Sequence, residues 1–318
     1  MERYIDPEVA AALAAMAPAS RDDPPARGDV ATRRLNARRM VQRLAAVLPQ
    51  FDSVEVQRFD MATGDGGTVA LHWYRRRDWP LPGSAVLYLH GGGMILGLGE
   101  LGALYDTAAR GYVASSGVPL LLVDYRIAPE HPHPVPVEDC YRALEWLVAN
   151  ATALEVDPAR LAVMGDSAGG GLAAGVCLLA RDRGGPPIAA QLLCYPMLDD
   201  RTAPPDPALA ALLTWSHDDN VTGWAALLGT PADGGISPYA APARAQDLAG
   251  LPPTYLDVGD LDLFCEEDLD YAGRLTAAGV STEVHVHPGC PHAFEVLAPQ
   301  AAVSARAIAD RSRRLRAL

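Results

Sequence analysis

Three stretches of this chain, "AVLYLH" (85–90), "LLLVDY" (120–125) and "LAVMG" (161–165), are apolar at nearly every position. A strand that alternates in polarity can leave one face in water. A strand that does not must be covered on both faces, and such strands belong to parallel sheets sandwiched between helices. Helical runs at 138–149, 170–181 and 265–278 follow these strands and their neighbours, the last stopped by Gly279. Further strand-like runs at 54–60, 69–75, 190–196, 253–259 and 283–287 bring the set to eight. The first two and the last alternate, as strands with a wetter face do. The expectation is an α/β fold with an eight-stranded, mostly parallel central sheet flanked by helices.

Two regions fall outside this alternation. Residues 1–50 read as helices with a Pro/Asp break at 18–25, and the 30–48 segment sets Leu35, Val41, Leu44 and Leu48 among arginines. Residues 199–230 are a long excursion after the sixth strand. Neither is needed to close the sheet. Both are read as helical cap segments over the end of the sheet where α/β proteins hold ligands, leaving 51–198 and 231–318 for the main domain.

Composition narrows the function. The chain has 318 residues, 49% apolar and 20% charged, and is globular rather than disordered. A net charge of −13 argues against nucleic-acid and anionic-membrane partners, which need a positive field. All 26 basic residues are arginine. Without a lysine there is no phosphate-loop lysine, no Schiff base and no Ser-Lys pair. No run approaches a membrane-spanning length, and the start lacks the basic and apolar regions of a signal peptide. The expected location is cytoplasmic, with Cys140, Cys177, Cys194, Cys265 and Cys290 as reduced thiols.

The chemistry gathers in three motifs. "LAVMGDSAGGG" (161–171) runs a buried strand into Gly165-Asp166-Ser167-Ala168-Gly169 and then into an Ala/Gly-rich helix. That context lifts a serine hydroxyl above the sheet at a helix N-terminus. With 11 serines and 29 glycines, chance alone supplies roughly 0.09 such patterns, and the strand and helix around this one make Ser167 the candidate nucleophile. "HGGG" (90–93) leaves the third strand, and three successive glycines are costly unless backbone N–H groups must approach a ligand. An acyl-transfer enzyme needs such donors for a developing oxyanion, together with the N–H of the residue after the nucleophile, Ala168. His90 is read as holding this loop. "VHVHPGCPHAFE" (284–295) sets His285, His287, Cys290 and His292 close together, which on its face suggests a metal site. His285 and His287 share one face of a strand, whereas His292 lies in the loop beyond it, where a base acting on Ser167 would arrive. An orienting acid should follow the seventh strand, where Asp260 and Asp262 are the contenders.

"HGGG" at 90–93, "DYRIAPEHPHPVPVEDCYRALEW" at 124–146, "GDSAGG" at 165–170 and "PGCPHAF" at 288–294 together resemble the hormone-sensitive-lipase-like (bacterial family IV) carboxylesterases of the α/β-hydrolase superfamily. The resemblance covers most of 50–318. It implies carboxylic-ester hydrolysis without a cofactor, with caps from the N-terminus and from the segment after the sixth strand. It maps the oxyanion donors onto Gly92, Gly93 and Ala168, with Gly91 as a further candidate. The family's Asp-Pro-Leu is similar to Asp262-Leu263-Phe264, which favours Asp262 as the acid. Met94 stands where the family often has an aromatic, which implies a softer acyl-pocket wall; Met94, Asp166 and Trp215 are the candidate substrate contacts. His217 and Trp224, in the same excursion as Trp215, are further candidates for substrate contact, with core packing as the alternative for both tryptophans. Tyr125, Arg126 and Glu130 are read as support for the glycine loop.

The reaction expected is hydrolysis of short-acyl esters through Ser167, His292 and Asp262. The partner is a small-molecule ester, with a homodimer as the open option for assembly. Deacetylation or amide cleavage on a small natural product, a metal-dependent hydrolase built on the histidine cluster, and a non-catalytic relative are the rival readings.

Overall fold

The structure is a computed structural model that describes residues 4–16, 25–45, 48–78, 83–205, 207–229 and 235–318. Eight strands form one sheet: β1 (Val54–Ala62), β2 (Thr68–Arg76), β3 (Gly83–Leu89), β4 (Leu120–Asp124), β5 (Val156–Asp166), β6 (Ala190–Cys194), β7 (Thr254–Gly259) and β8 (Thr282–His287). Their order is β1-β2-β4-β3-β5-β6-β7-β8, antiparallel only where β2 meets β1 and β4. From β4 across to β8 every pairing is parallel. The chain therefore makes the sheet that its apolar runs predict, and β3 is buried along its whole length.

The helices are α1 (Pro7–Met16), α2 (Val30–Leu44), α3 (Leu98–Ser116), α4 (Val135–Ala149), α5 (Ala151–Leu154), α6 (Ala168–Arg183), α7 (Pro207–Ala210), α8 (His217–Leu228), α9 (Cys265–Ala277), α10 (Phe294–Leu297) and α11 (Ala302–Arg316). α6 is buried from Ala168 to Ala180, which explains a sequence with no charge until Arg181. None of the described helices is long and apolar enough to cross a membrane.

The Pro/Asp break expected at 18–25 falls mainly on 17–24, outside the described residues. On either side of it, α1 and α2 do different things. Val9 of α1 joins a small apolar cluster with Cys290, Phe294, Ala298 and Val303, and Asp6 donates its N–H to Gly289 O at 2.8 Å. α2 lies on α3 and buries Arg33, Ala37 and Val41, one residue per turn, so Leu35 points outward instead of joining the apolar face. Arg33 is held at this buried position by Asp219 of α8 at 2.8 Å and by Ala26 O.

The edge strand β8 inverts the usual polarity of an alternating strand. Val284 and Val286 are exposed, and His285 and His287 turn toward the protein. His285 bonds Glu283 at 2.8 Å, and His287 lies 3.9 Å from the buried Asp257. The two imidazoles also pack on rings, His285 on Tyr255 at 5.3 Å and His287 on Phe294 at 5.1 Å.

Candidate active site

The ends of β3, β5, β7 and β8 carry the motif residues to one edge of the sheet. At the end of β5, Ser167 takes φ +57°, in the left-handed region that non-glycine residues seldom occupy. Its N–H donates to Cys194 O at 2.9 Å, and its carbonyl accepts from Met197 at 2.9 Å and from Gly171 at 3.0 Å. These bonds over-determine the strained turn and aim the side chain off the sheet. The flanking glycines serve close approach rather than positive φ. A Cβ on Gly169 would stand 2.0 Å from Leu89 O, and one on Gly165 would stand 2.1 Å from Gly169 O. Only bare backbone lets α6 start against β3.

The three predicted residues meet. His292 Nε2 lies 2.9 Å from Ser167 Oγ, and His292 Nδ1 lies 2.7 Å from Asp262 Oδ2. All three are buried, with exposures of 7% for Ser167, 6% for His292 and 2% for Asp262. With Nδ1–H donating to the carboxylate, Nε2 is left as the acceptor of the serine hydroxyl. Asp262 Oδ1 accepts from Phe264 N at 3.0 Å, which fixes the carboxylate at the start of α9. Three rings enclose the imidazole: Tyr195 and Phe264 edge-on at 4.8 and 5.1 Å, and Trp215 tilted at 6.5 Å. Asp260, the other contender, points elsewhere and accepts from Gly289 N at 2.6 Å, bracing the loop that carries His292.

The three histidines and the cysteine of 284–295 do not gather into one group. Among the described residues no three His, Cys, Asp or Glu side chains converge where they could hold an ion. His292 is engaged at both nitrogens, and Cys290 Sγ rests on Pro288 O at 3.6 Å.

Side chains from several elements hold the glycine loop. His90 is fully buried, bonds Gly91 O through Nδ1 at 2.8 Å and stacks on Tyr125 at 4.1 Å. Burial pushes its pKa down to about 4, so it is neutral and structural. Tyr125 donates to His90 O at 2.7 Å. Arg126 grips Asp139, and Glu130 pairs with Arg34 of α2, which also reaches Ile95 O and Ala128 O. Gly91 leaves the set of candidate oxyanion donors, because its N–H already donates to Tyr105 Oη at 2.6 Å. Gly92, Gly93 and Ala168 remain. Ala168 opens α6, where first-turn N–H groups have no intrahelical carbonyl to reach.

Beside this group lies a cavity of about 760 Å³, lined by Ser167, Gly92, Gly93, Asp166, Trp215 and His292 at one end. Its walls include Leu101 and Ser115, roughly 21 Å apart along α3 at 1.5 Å per residue, so it is elongated. The candidate contacts Trp215 and Asp166 are on this wall. Met94 is not. At φ +65° its fully buried side chain turns into the core. His217 lies near Thr202 O, and Trp224 is core.

Trp215 rests directly on the glycine loop: a Cβ on Gly93 would stand 2.3 Å from its ring. Gly93→Ala should therefore displace the indole as well as disturb a donor, and an esterase assay should show a loss of about 10²-fold or more. Adding Trp215→Ala should recover part of that loss; no recovery would mean the indole contact is not what makes glycine necessary.

Asp166, expected as a substrate contact, also ties two parts of the site together. Tyr105 donates to Asp166 Oδ2 at 2.6 Å while its oxygen accepts from Gly91, so one phenol ties the elbow to the glycine loop. Burial pushes the Asp166 carboxyl from 3.8 up to about 6, despite bonds from Tyr105 and Tyr88 that favour its ionised form. A carboxyl raised in the fold binds a proton more readily native than unfolded. Its contribution to stability is complete below about pH 4 and is lost as pH rises to about 6. The loss is on the order of 2–3 kcal/mol. Asp166→Asn removes it, so calorimetry should find the Tm of the variant relative to the parent rising between about pH 4 and pH 7. A difference constant across that range would contradict this.

With sheet and site in place, the comparisons decide the family. Residues 86–296 match the model of a family described as having the alpha/beta hydrolase fold. A carboxylesterase, NlhH, of Mycobacterium tuberculosis is 38% identical over 239 residues, covering 73% of this chain and 74% of the relative. The chain belongs to the hormone-sensitive-lipase-like carboxylesterases of the α/β-hydrolase superfamily. Esterase LipI of the same organism is 37% identical over 254 residues, 77% of each chain. Among solved structures, a bacterial heroin esterase superposes with a TM-score of 0.85 at 37% identity, covering 99% of this chain and 98% of its own. The carboxylesterase family, the fold and ester hydrolysis thus agree with what the four motifs implied.

Proposed function

We propose that the protein hydrolyses short-acyl esters through a Ser167–His292–Asp262 triad and a covalent acyl-enzyme. The observation that carries this reading is the unbroken hydrogen-bonded line from Asp262 Oδ2 through both nitrogens of His292 to Ser167 Oγ. Ser167 Oγ attacks the ester carbonyl as His292 Nε2 takes its proton, and Asp262 stabilises the imidazolium that forms. The carbonyl oxygen, now charged, is met by the N–H groups of Gly92, Gly93 and Ala168. Collapse of the tetrahedral intermediate breaks the bond to the alcohol oxygen, which receives the proton from Nε2. Water then attacks the acyl-enzyme with His292 as base, and the carboxylic acid leaves.

The leaving oxygen must lie on the His292 side to receive its proton. The cavity wall there continues as Leu297, Ala305 and Ile308 of α10 and α11, which supports an apolar alcohol group in the elongated limb. Two features support a short acyl group: Trp215 closes against Gly93, and the acidic surface does not attract lipid interfaces. α2 and residues 207–229 act as the cap. Thr214 donates to His292 O at 2.7 Å, so the second cap segment touches the base itself.

A series of p-nitrophenyl esters tests this reading. kcat/KM should peak between acetate and hexanoate and fall by laurate, and a series still rising at laurate would contradict it.

A further inference from the structure

Beneath the triad lies a charged group that no sequence motif announces. Arg311 comes from α11, far from every motif, and is completely buried. Its Nε and Nη2 take both oxygens of Asp257 at 2.7 and 2.9 Å. Its Nη1 reaches Glu295 Oε1 at 2.5 Å and Tyr112 Oη at 3.1 Å. Tyr195 donates to the same Glu295 oxygen at 2.5 Å, and the guanidinium sits 5.3 Å from the centre of the Tyr195 ring.

These partners stand at the roots of the reacting groups. Asp257 lies in β7, five positions before Asp262. Glu295 lies three positions after His292. Tyr195 follows β6, holds φ +36°, bonds Asp257 O through its N–H at 2.6 Å, and presents its ring edge to the imidazole at 4.8 Å. The preceding residue, Cys194, accepts the N–H of Ser167. One guanidinium therefore ties together the ends of the strands that place all three reacting side chains.

Stability alone is a weak reason for such a cluster, because apolar residues of similar volume do as well or better than a buried ion group. We propose that Arg311 is a positioning residue. Through Glu295 and Tyr195 it sets the plane of the His292 imidazole, and through Asp257 it sets the loop that presents Asp262. Arg311 does not line the cavity, so its loss should fall on kcat and leave KM alone. The planar fork matters as well as the charge, since a lysine cannot span two oxygens of Asp257 and a third on Glu295.

The inference rests on the serine-hydrolase reading, which organophosphonate labelling of Ser167 in the parent tests separately. The experiment measures kcat per titrated active site, KM and Tm for Arg311→Lys, Tyr195→Phe and the double variant. Arg311→Lys should lower kcat by about 10²-fold, the order expected of a displacement near 1 Å, with KM within about threefold. Tyr195→Phe keeps the ring but drops the bond to Glu295, and should lower kcat by about tenfold. The double variant should lose much less than the product of the two, because both act through one imidazole. A parent that labels at Ser167 while Arg311→Lys keeps kcat within about twofold overturns this inference alone. So does a loss carried by KM, or multiplicative losses in the double variant. If Arg311→Lys does not fold, Tyr195→Phe and Glu295→Gln decide: lowered kcat at parental KM in both supports the inference, and unchanged kcat in both overturns it.

Discussion

Ser167→Ala is expected to lower kcat by about 10⁴-fold or more while leaving Tm and the circular-dichroism spectrum as in the parent. The size follows from the arrangement. Without Oγ the cavity, the glycine loop and the Asp262–His292 pair remain, but no group lies in front of Nε2 to receive the acyl group. The fold survives because what holds the elbow is backbone: the bonds of residue 167 to Cys194 O, Met197 N and Gly171 N do not involve the hydroxyl. The positive φ is as strained for alanine as for serine, so the substitution adds no new conformational cost. Residual turnover above about one part in a hundred, measured on a butyrate ester with the enzyme titrated for activity, would mean that another group attacks the ester.

Asp262→Asn should cost nearly as much, about 10⁴-fold in kcat. The bond at 2.7 Å to Nδ1 is what holds the proton there and leaves Nε2 free to accept. An amide can offer Nδ1 its N–H₂ and so favour the wrong tautomer, with the ring in the same place. Asp260→Asn is the sharp contrast. That side chain braces Gly289 N, two residues before the proline that precedes His292, and its loss should cost no more than about tenfold. Kinetics of the two variants side by side distinguish the acid from the brace. Equal losses would contradict the assignment.

The sheet was legible because burial on both faces writes itself into β3, β4 and the 161–165 part of β5 as nearly unbroken apolar runs, and all eight strands overlap the runs that predict them. The convergence of Ser167, His292 and Asp262 was legible because each sits in a loop whose place in the chain is dictated by the strand before it. Local backbone geometry was less readable. Met94 looked like a pocket wall because the family it resembles often has an aromatic there, but at a positive φ its side chain is fully buried in the core. Gly91 looked like a donor, but Tyr105, fourteen residues on and in no motif, takes its N–H. Arg311 was hidden for a different reason. In "ADRSRRLR" it is one arginine among four, and only the fold shows that it is the one turned inward, onto Asp257 and Glu295. The orientation of β8 was similarly concealed, since alternation gives two faces and does not say which is covered.

The central claim is that Ser167, activated by His292, forms a covalent intermediate with the acyl group. Stoichiometric treatment with a serine-directed organophosphonate, followed by peptide mass mapping in the presence and absence of EDTA, tests it most directly. The account predicts one adduct per chain, on the peptide that holds Ser167, with activity lost in proportion to labelling and indifferent to the chelator. Activity that survives full labelling, or an adduct that maps to another serine and leaves Ser167 free, would contradict it.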